Sequence, residues 1–390
     1  MGKFIPLSVP NFEGNEKKYV DEAVDQGWVS TGGAFITRLE KELADYLKAP
    51  KVAACQSGTA AIHLSLIECG VMPGDMVIVP TITFIAAVNP VRYQFAEPVF
   101  MDCDDSLCMD PLKLRKFCER ECELSEDRLI HKASGRQVKA VVVVHVFGNL
   151  AAMEQIMDIA EEFHLKVVED ATEALGTYVT KGRYKGMYAG TIGDFGAYSF
   201  NGNKIITTGG GGAVTGKDAE AVAHMQFLST QAKDDPHYYI HNEVGFNYRM
   251  TNLQAALGVA QLELLDEFIR RKQKNFRQYQ ELFQGFYRGQ LLEFRPGTLS
   301  NQWFYSLKID MGSVNMSLRD IITGLEERGV GTRAIWGLIH EQLPYREFIA
   351  YEMEKAPYYS SCILNLPCST QITEEEISYV VSNVKEVLCP

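Results

Sequence analysis

The sequence predicts an α/β fold: a large domain with a mostly parallel sheet covered by helices, then a smaller C-terminal α/β domain. Two observations carry this. From about residue 50, short apolar runs alternate with amphipathic segments, the signature of βαβ units. After Gly245 the texture changes to a long, charge-rich helical stretch with few strand-like runs. The length of 390 residues holds one large core and a smaller one, and 46% apolar with 23% charged residues is ordinary for a globular chain.

In chain order, two helices open the sequence, about Glu16 to Gln26 and Ile36 to Leu47. Between them Trp28 to Gly33 forms a turn that could reach a site. Lys51 to Gln56 reads as a strand and Thr59 to Cys69 as a helix; Met76 to Pro80 as a strand and Phe84 to Tyr93 as a helix; Pro98 to Met101 as a strand and Pro111 to Glu121 as a helix. The valine-rich Val138 to Val146 is a strand, followed by a helix from Ala151 to Phe163 and a strand from Leu165 to Glu169. Asn252 to Phe283 reads as one long helix connecting to a small domain with a strand at Trp303 to Ile309 and helices at Ser317 to Arg328 and Thr373 to Leu388. The expected division is residues 1–250 and 251–390.

A net charge of -12 argues against nucleic acid as the main partner, because phosphate binding needs a basic field. No apolar run approaches the roughly 20 residues that span a bilayer. The start, Met1 to Pro6, lacks the apolar core of a signal peptide, and Pro6 stands where myristoylation needs Ser or Thr, so the expected compartment is the cytosol. The nine cysteines are odd in number and scattered, unlike a disulfide framework. Cys118 and Cys122 share a helix face, but no second pair nearby completes a metal site, and none is expected.

Open α/β sheets bind ligands beyond the C-terminal ends of their strands. Searching from there gives three candidate stretches. Ser57-Gly58-Thr59 opens a helix after a strand, where free N–H groups, the helix dipole and two hydroxyls suit an anion; the same residues also read as a simple N-cap. Glu169-Asp170 ends a strand, so a carboxylate there can meet a cationic ring nitrogen such as that of pyridoxal phosphate, or merely cap the next helix. Ser199-Phe200-Asn201-Gly202-Asn203-Lys204 precedes Thr207, Thr208 and the glycines 209–212. A lysine there forms an imine only if held neutral, which burial and nearby positive charge achieve. No dinucleotide glycine fingerprint, P-loop or nucleophile-elbow motif is present, and His145 reads as structural or site-lining.

Taken in this order, with the turn 28–33, Pro80-Thr81-Ile82-Thr83-Phe84 and Gly245-Phe246-Asn247-Tyr248-Arg249-Met250, these stretches resemble the DegT/DnrJ/EryC1/StrS sugar aminotransferases. The resemblance implies the fold-type I architecture of enzymes dependent on pyridoxal 5'-phosphate, and a homodimer with shared active sites. Lys204 matches the lysine that carries the cofactor, Asp170 the carboxylate on the pyridine nitrogen, and Phe84 the aromatic on the ring. Gly58, Thr59 and Ser199 match the phosphate cradle, and Asn247 an asparagine reaching it from the partner. Thr31, Arg249, Arg333 and His340 look substrate-side. Two positions depart: Glu173 stands where many members have glutamine near the cofactor hydroxyl, and Gly210 where many have glutamate.

The activity implied is amino transfer from L-glutamate to a nucleotide-linked keto sugar. Lys204, rather than the histidine of deoxygenating relatives, fits transamination. Ile5 to Asn11 and Asn201 to Thr208 resemble the subgroup acting on 4-keto-6-deoxy-N-acetyl hexoses of the bacillosamine and legionaminic type, with UDP as the expected nucleotide. The alternatives are a 3-keto nucleotide sugar or cyclitol ketone as acceptor, or a non-catalytic regulator that binds pyridoxal phosphate.

Overall fold

The computed structural model describes residues 4–235 and 237–389; Met1, Gly2 and Lys3, on which the export and lipidation readings partly bear, lie outside the described residues. The strands are, in order, β1 (Val52–Cys55), β2 (Met76–Pro80), β3 (Glu97–Met101), β4 (Cys122–Ser125), β5 (Arg128–His131), β6 (Gln137–Val144), β7 (Lys166–Asp170), β8 (Tyr178–Val179), β9 (Phe195–Ser199) and β10 (Gly212–Gly216). They continue with β11 (Gly289–Leu291), β12 (Thr298–Leu299), β13 (Tyr305–Ile309), β14 (Arg333–Ala334), β15 (Ala350–Tyr351) and β16 (Ile363–Leu366).

The large sheet has the order β1-β10-β9-β7-β6-β2-β3-β15. Its middle, from β9 through β7, β6, β2 and β3 to β15, is parallel. β2 is buried at every position and β6 along its valine run, because helices cover both faces of a parallel sheet. At one edge β10 pairs antiparallel with both β9 and β1, and the hairpin β4–β5 adds antiparallel to β6. A second, antiparallel sheet has the order β11-β13-β16-β14. The N-terminal segment reaches the second sheet's side of the molecule: Ile5 N–H donates to the Gly329 carbonyl and Gly331 N–H to the Ile5 carbonyl, each at 2.8 Å.

Helix Gly58–Glu68 lies against β9 and β10 and is buried at all but a few positions, which matches its mostly apolar sequence. Two sequence expectations are corrected. The stretch 252–283 is two helices, Asn252–Leu262 and Leu265–Phe283, broken where the Glu263 carboxylate accepts from Asn15 (2.7 Å), Tyr19 (2.7 Å) and Arg38 (2.9 Å). Residues 84–93 form a 3₁₀ turn, Ile85–Ala87, and a short helix, Asn89–Tyr93; Pro90, with no N–H to give, sits at the start of the second piece. Among the described residues, no helix is long and apolar enough to cross a membrane, and no group of three or more His, Cys, Asp or Glu side chains could hold a metal.

Candidate active site

The parallel strands β2, β6, β7 and β9 end at one rim. Residues at or just past those ends line one cavity of about 460 Å³: Thr83 and Phe84 after β2, Phe147 after β6, Asp170, Thr172 and Glu173 from β7, and Ser199, Asn203 and Lys204 from β9. Ser57, Gly58 and Thr59 form its floor at a helix start, while Trp303, Phe304, Arg333 and Trp336 close it from the side of the second sheet.

Lys204 is seated by its neighbours. Its own N–H donates to the Asn201 carbonyl (3.0 Å), and the Trp303 indole N–H donates to the Asn203 carbonyl (2.9 Å). The Lys204 side chain is 13% exposed, with Nζ 3.6 Å from Glu173 Oε1 and 4.2 Å from the centre of the Trp303 ring. The sequence reading looked for positive neighbours here; the structure supplies a carboxylate and an aromatic face, both of which attract a cation.

Three carboxylates differ by their surroundings. Burial would raise Glu169, but the His145 hydrogen bond (2.7 Å) and the N–H groups of Gly190, Ile192 and Gly193 outweigh it and hold that carboxyl below its usual value. Asp170 is 4% exposed and accepts from Thr172 N–H at 3.0 Å; burial prevails and raises its carboxyl. Glu173, 5% exposed, accepts from Phe147 N–H at 2.8 Å, and burial pushes it up to about 7 against the charge of Lys204. A cation brought against Asp170 would therefore relieve an existing desolvation cost.

At the floor, the Ser57 hydroxyl caps the helix by accepting from Ala60 N–H (3.1 Å). The first N–H groups, of Gly58 and Thr59, have no intrahelical partner. A Cβ added at Gly58 would lie 2.7 Å from Thr172 Cγ2 and 3.0 Å from Ser199 Cβ, so only glycine brings this backbone so close to β9. The N-cap and anion-site readings of Ser57-Gly58-Thr59 are thus compatible. The donor set fits a ligand with an anionic end, a cationic ring nitrogen and a carbonyl for an amine, which is the chemistry of pyridoxal phosphate.

Of the residues singled out in the sequence, Gly58, Thr59, Phe84, Asp170, Glu173, Ser199, Lys204 and Arg333 share this cavity. Phe84 is 56% exposed within it. Thr31, Asn247, Arg249 and His340 do not line it within a single chain. Asn247 bridges to Thr230, Arg249 bridges to Cys55, and His340 Nδ1 is 2.7 Å from the Thr81 hydroxyl. His145 is buried behind Asp170, held between Glu169 and Ala151 N–H (3.2 Å). Sequence reasoning missed Phe147, Thr172, Trp303 and Trp336. A signal existed for two of them: the chain has three tryptophans, and Trp303 and Trp336 are both in this wall.

The sequence matches the DegT/DnrJ/EryC1/StrS aminotransferase family over residues 10–385. It is 36% identical to EpsN of Bacillus subtilis (strain 168), whose name includes the words pyridoxal phosphate-dependent aminotransferase, over 98% of this chain and 95% of that one. It is 35% identical to a GDP-perosamine synthase of Caulobacter vibrioides, over 98% of each chain. The fold superposes on the crystal structure of a DegT DnrJ EryC1 StrS aminotransferase from Brucella abortus with a TM-score of 0.86, at 24% identity and 96% coverage of both chains. The chain belongs to this family; it is a pyridoxal phosphate-dependent sugar-nucleotide aminotransferase, acting in deoxy- and amino-sugar biosynthesis.

Proposed function

We propose that this aminotransferase moves an amino group from L-glutamate to the keto carbon of a nucleotide-linked 4-keto-6-deoxy sugar, a UDP-linked N-acetyl hexose, for a surface polysaccharide. The observation that carries its catalytic half is the convergence of Lys204, Asp170 and the Ser57–Thr59 helix start on one cavity. In this reading Gly58, Thr59 and Ser199 hold the cofactor phosphate, Phe84 lies against the ring, and Asp170 keeps the ring nitrogen protonated. When bound, pyridoxal phosphate supplies the electron sink. Lys204 would hold the cofactor through Nζ, and that nitrogen, when free, would take the proton from the donor carbon and deliver it to the cofactor's aldehyde-derived carbon. Thr31, Arg249, Arg333 and His340 are assigned to the substrate side, with Arg333 the cation already at the cavity wall.

The assembly proposed is a homodimer with shared sites. Tyr238, Tyr239, Ile240 and Val244 stand exposed on one segment, with Asn247 exposed a few residues on. The Arg249 Nε is buried with no hydrogen-bond partner among the described residues. An exposed apolar patch beside an unmet buried donor fits a surface completed by a second copy.

A second reading, a GDP-linked sugar, is favoured by the Caulobacter relative named for GDP-perosamine. The test is the visible spectrum of purified protein before and after L-glutamate, beside Lys204→Ala. A yellow lysine-linked band that glutamate bleaches, and that the variant lacks, supports the reading. No band after incubation with pyridoxal phosphate sinks the Lys204 assignment, and a band indifferent to glutamate sinks the donor assignment. Amine formation from a panel of UDP-, GDP- and dTDP-linked 4-keto sugars, a 3-keto sugar and a cyclitol ketone then decides the acceptor.

A further inference from the structure

We infer that Glu173 is the proton partner of Lys204: it accepts the proton that the lysine ammonium must lose before its nitrogen can bond the cofactor's carbonyl carbon, and gives it up again as the carbonyl oxygen departs. The inference rests on the reading of Lys204 above.

The geometry is specific to this pair. Glu173 Oε1 is 3.6 Å from Lys204 Nζ, while Glu173 Oε2 is held by Phe147 N–H at 2.8 Å. The Glu173 backbone is pinned as well, because Asn301 Nδ2 donates to its carbonyl at 2.9 Å. One oxygen is therefore anchored and the other faces the amine. The charged and titratable groups around the pair are few. Asp170 adds its charge from the end of β7, His145 lies behind Asp170, and Arg333 lies in the cavity wall on the side of the second sheet; Trp303, Phe304 and Trp336 there are uncharged.

Lys204 needs such a partner. Its amine sits between a carboxylate and an indole face, both of which attract a cation. Burial raises the Glu173 carboxyl to about 7, against the Lys204 charge and with that of Asp170, so its affinity for a proton suits exchange near neutral pH. A glutamine in this place could accept a hydrogen bond but could not take the proton.

The step balances. Lys204–NH₃⁺ and Glu173–COO⁻ become Lys204–NH₂ and Glu173–COOH. The nitrogen lone pair forms a bond to the carbonyl carbon as the C=O π pair moves to oxygen. The C–O bond then breaks as a second C–N bond forms, the oxygen leaves as water carrying the proton from Glu173 and one from the nitrogen, and the nitrogen keeps its last proton and the positive charge. No electrons are gained or lost overall, and Glu173 ends as the carboxylate it began as.

The experiment measures how fast the apoprotein acquires the absorption band of lysine-linked cofactor after addition of pyridoxal phosphate, from pH 6 to 9. It compares the wild type with Glu173→Gln and Glu173→Asp. The expected result is a loss on the order of 10²-fold at pH 7 for Glu173→Gln, shrinking as hydroxide takes over at pH 9, with partial rescue by Glu173→Asp. Glu173→Gln attaching at the wild-type rate with the wild-type pH profile overturns the inference. Pyridoxamine phosphate, which needs no covalent bond, reports on the folded cavity through quenching of the nearby tryptophans. Its affinity is expected to stay within about threefold of wild type for the variants, and its loss in both assigns Glu173 to packing and overturns the inference too. A wild-type protein that forms no band removes the Lys204 reading and this one together; a wild-type band with an indifferent Glu173→Gln removes this one alone.

Discussion

The cavity rim and the segment 231–250 satisfy their chemistry in opposite ways. Around the cavity, several buried polar groups are met from within the chain: Glu169 takes four hydrogen bonds, Phe147 N–H meets Glu173, and Trp303 Nε1 meets the Asn203 carbonyl. In the segment, Val244 is 85% exposed, Tyr238 and Tyr239 stand out beside it, and the Arg249 Nε is buried without a partner among the described residues. Buried polar groups in a finished structure are paired, and large apolar patches are covered. The rim's carboxylates are thus set by one chain, whereas the segment leaves an apolar surface uncovered, which is where the proposed dimer would add a second copy.

The comparison breaks most readily at Asp170. Asp170→Asn keeps the shape but removes the charge that favours a protonated ring nitrogen, and we expect kcat to fall by about 10²-fold or more while the lysine-linked band still forms. Unchanged turnover would show that the rim's electrostatics are not what one chain contributes to the reaction. Next comes the other region: Ile240→Glu should weaken self-association in sedimentation equilibrium, and Asn247→Ala should loosen pyridoxal phosphate by roughly tenfold with the assembly intact. A monomer that binds the cofactor as tightly as wild type would place the whole site in one chain.

Gly58→Ala sharpens the rim side. Its methyl group meets Thr172 and Ser199 too closely, so the helix start must shift, and cofactor affinity measured by equilibrium dialysis should drop several-fold, about 1 kcal/mol. The smallest effect is on stability. Glu173 has an ordinary value of 4.5 and is raised to about 7 in the fold, so the folded chain holds the extra proton between those values. That contribution is complete below about pH 4.5 and is lost as pH rises through about 7. The apoprotein melting temperature should fall across that window by a few degrees, and Glu173→Gln should flatten the slope.

Much of the rim was legible in advance. Met76–Pro80 and Pro111–Glu121 have the bounds their apolar pattern indicates, since long periodic or fully apolar runs leave little choice. β9 and β10 were not legible: Phe-Gly-Ala-Tyr-Ser and Gly-Ala-Val-Thr-Gly are short, glycine-bearing and without alternation, and only pairing with each other and with β1 and β7 makes them strands. The helix expected through 252–283 has an unbroken local pattern, but the three partners of Glu263 come from residues 15, 19 and 38, far away in sequence.

By itself, the sequence determined the α/β class, the strand ends that carry Gly58 and Asp170, and the order of the motifs up to Lys204, because periodicity and turn chemistry are local properties of the chain. Only the tertiary structure decided that Glu173 faces the Lys204 amine, that Trp303 lies over it, and that Asn247 and Arg249 stand away from the cavity of their own chain. Those facts depend on distances between residues far apart in the sequence, and on burial, which sets the protonation of Glu173 and has no meaning until the chain is packed.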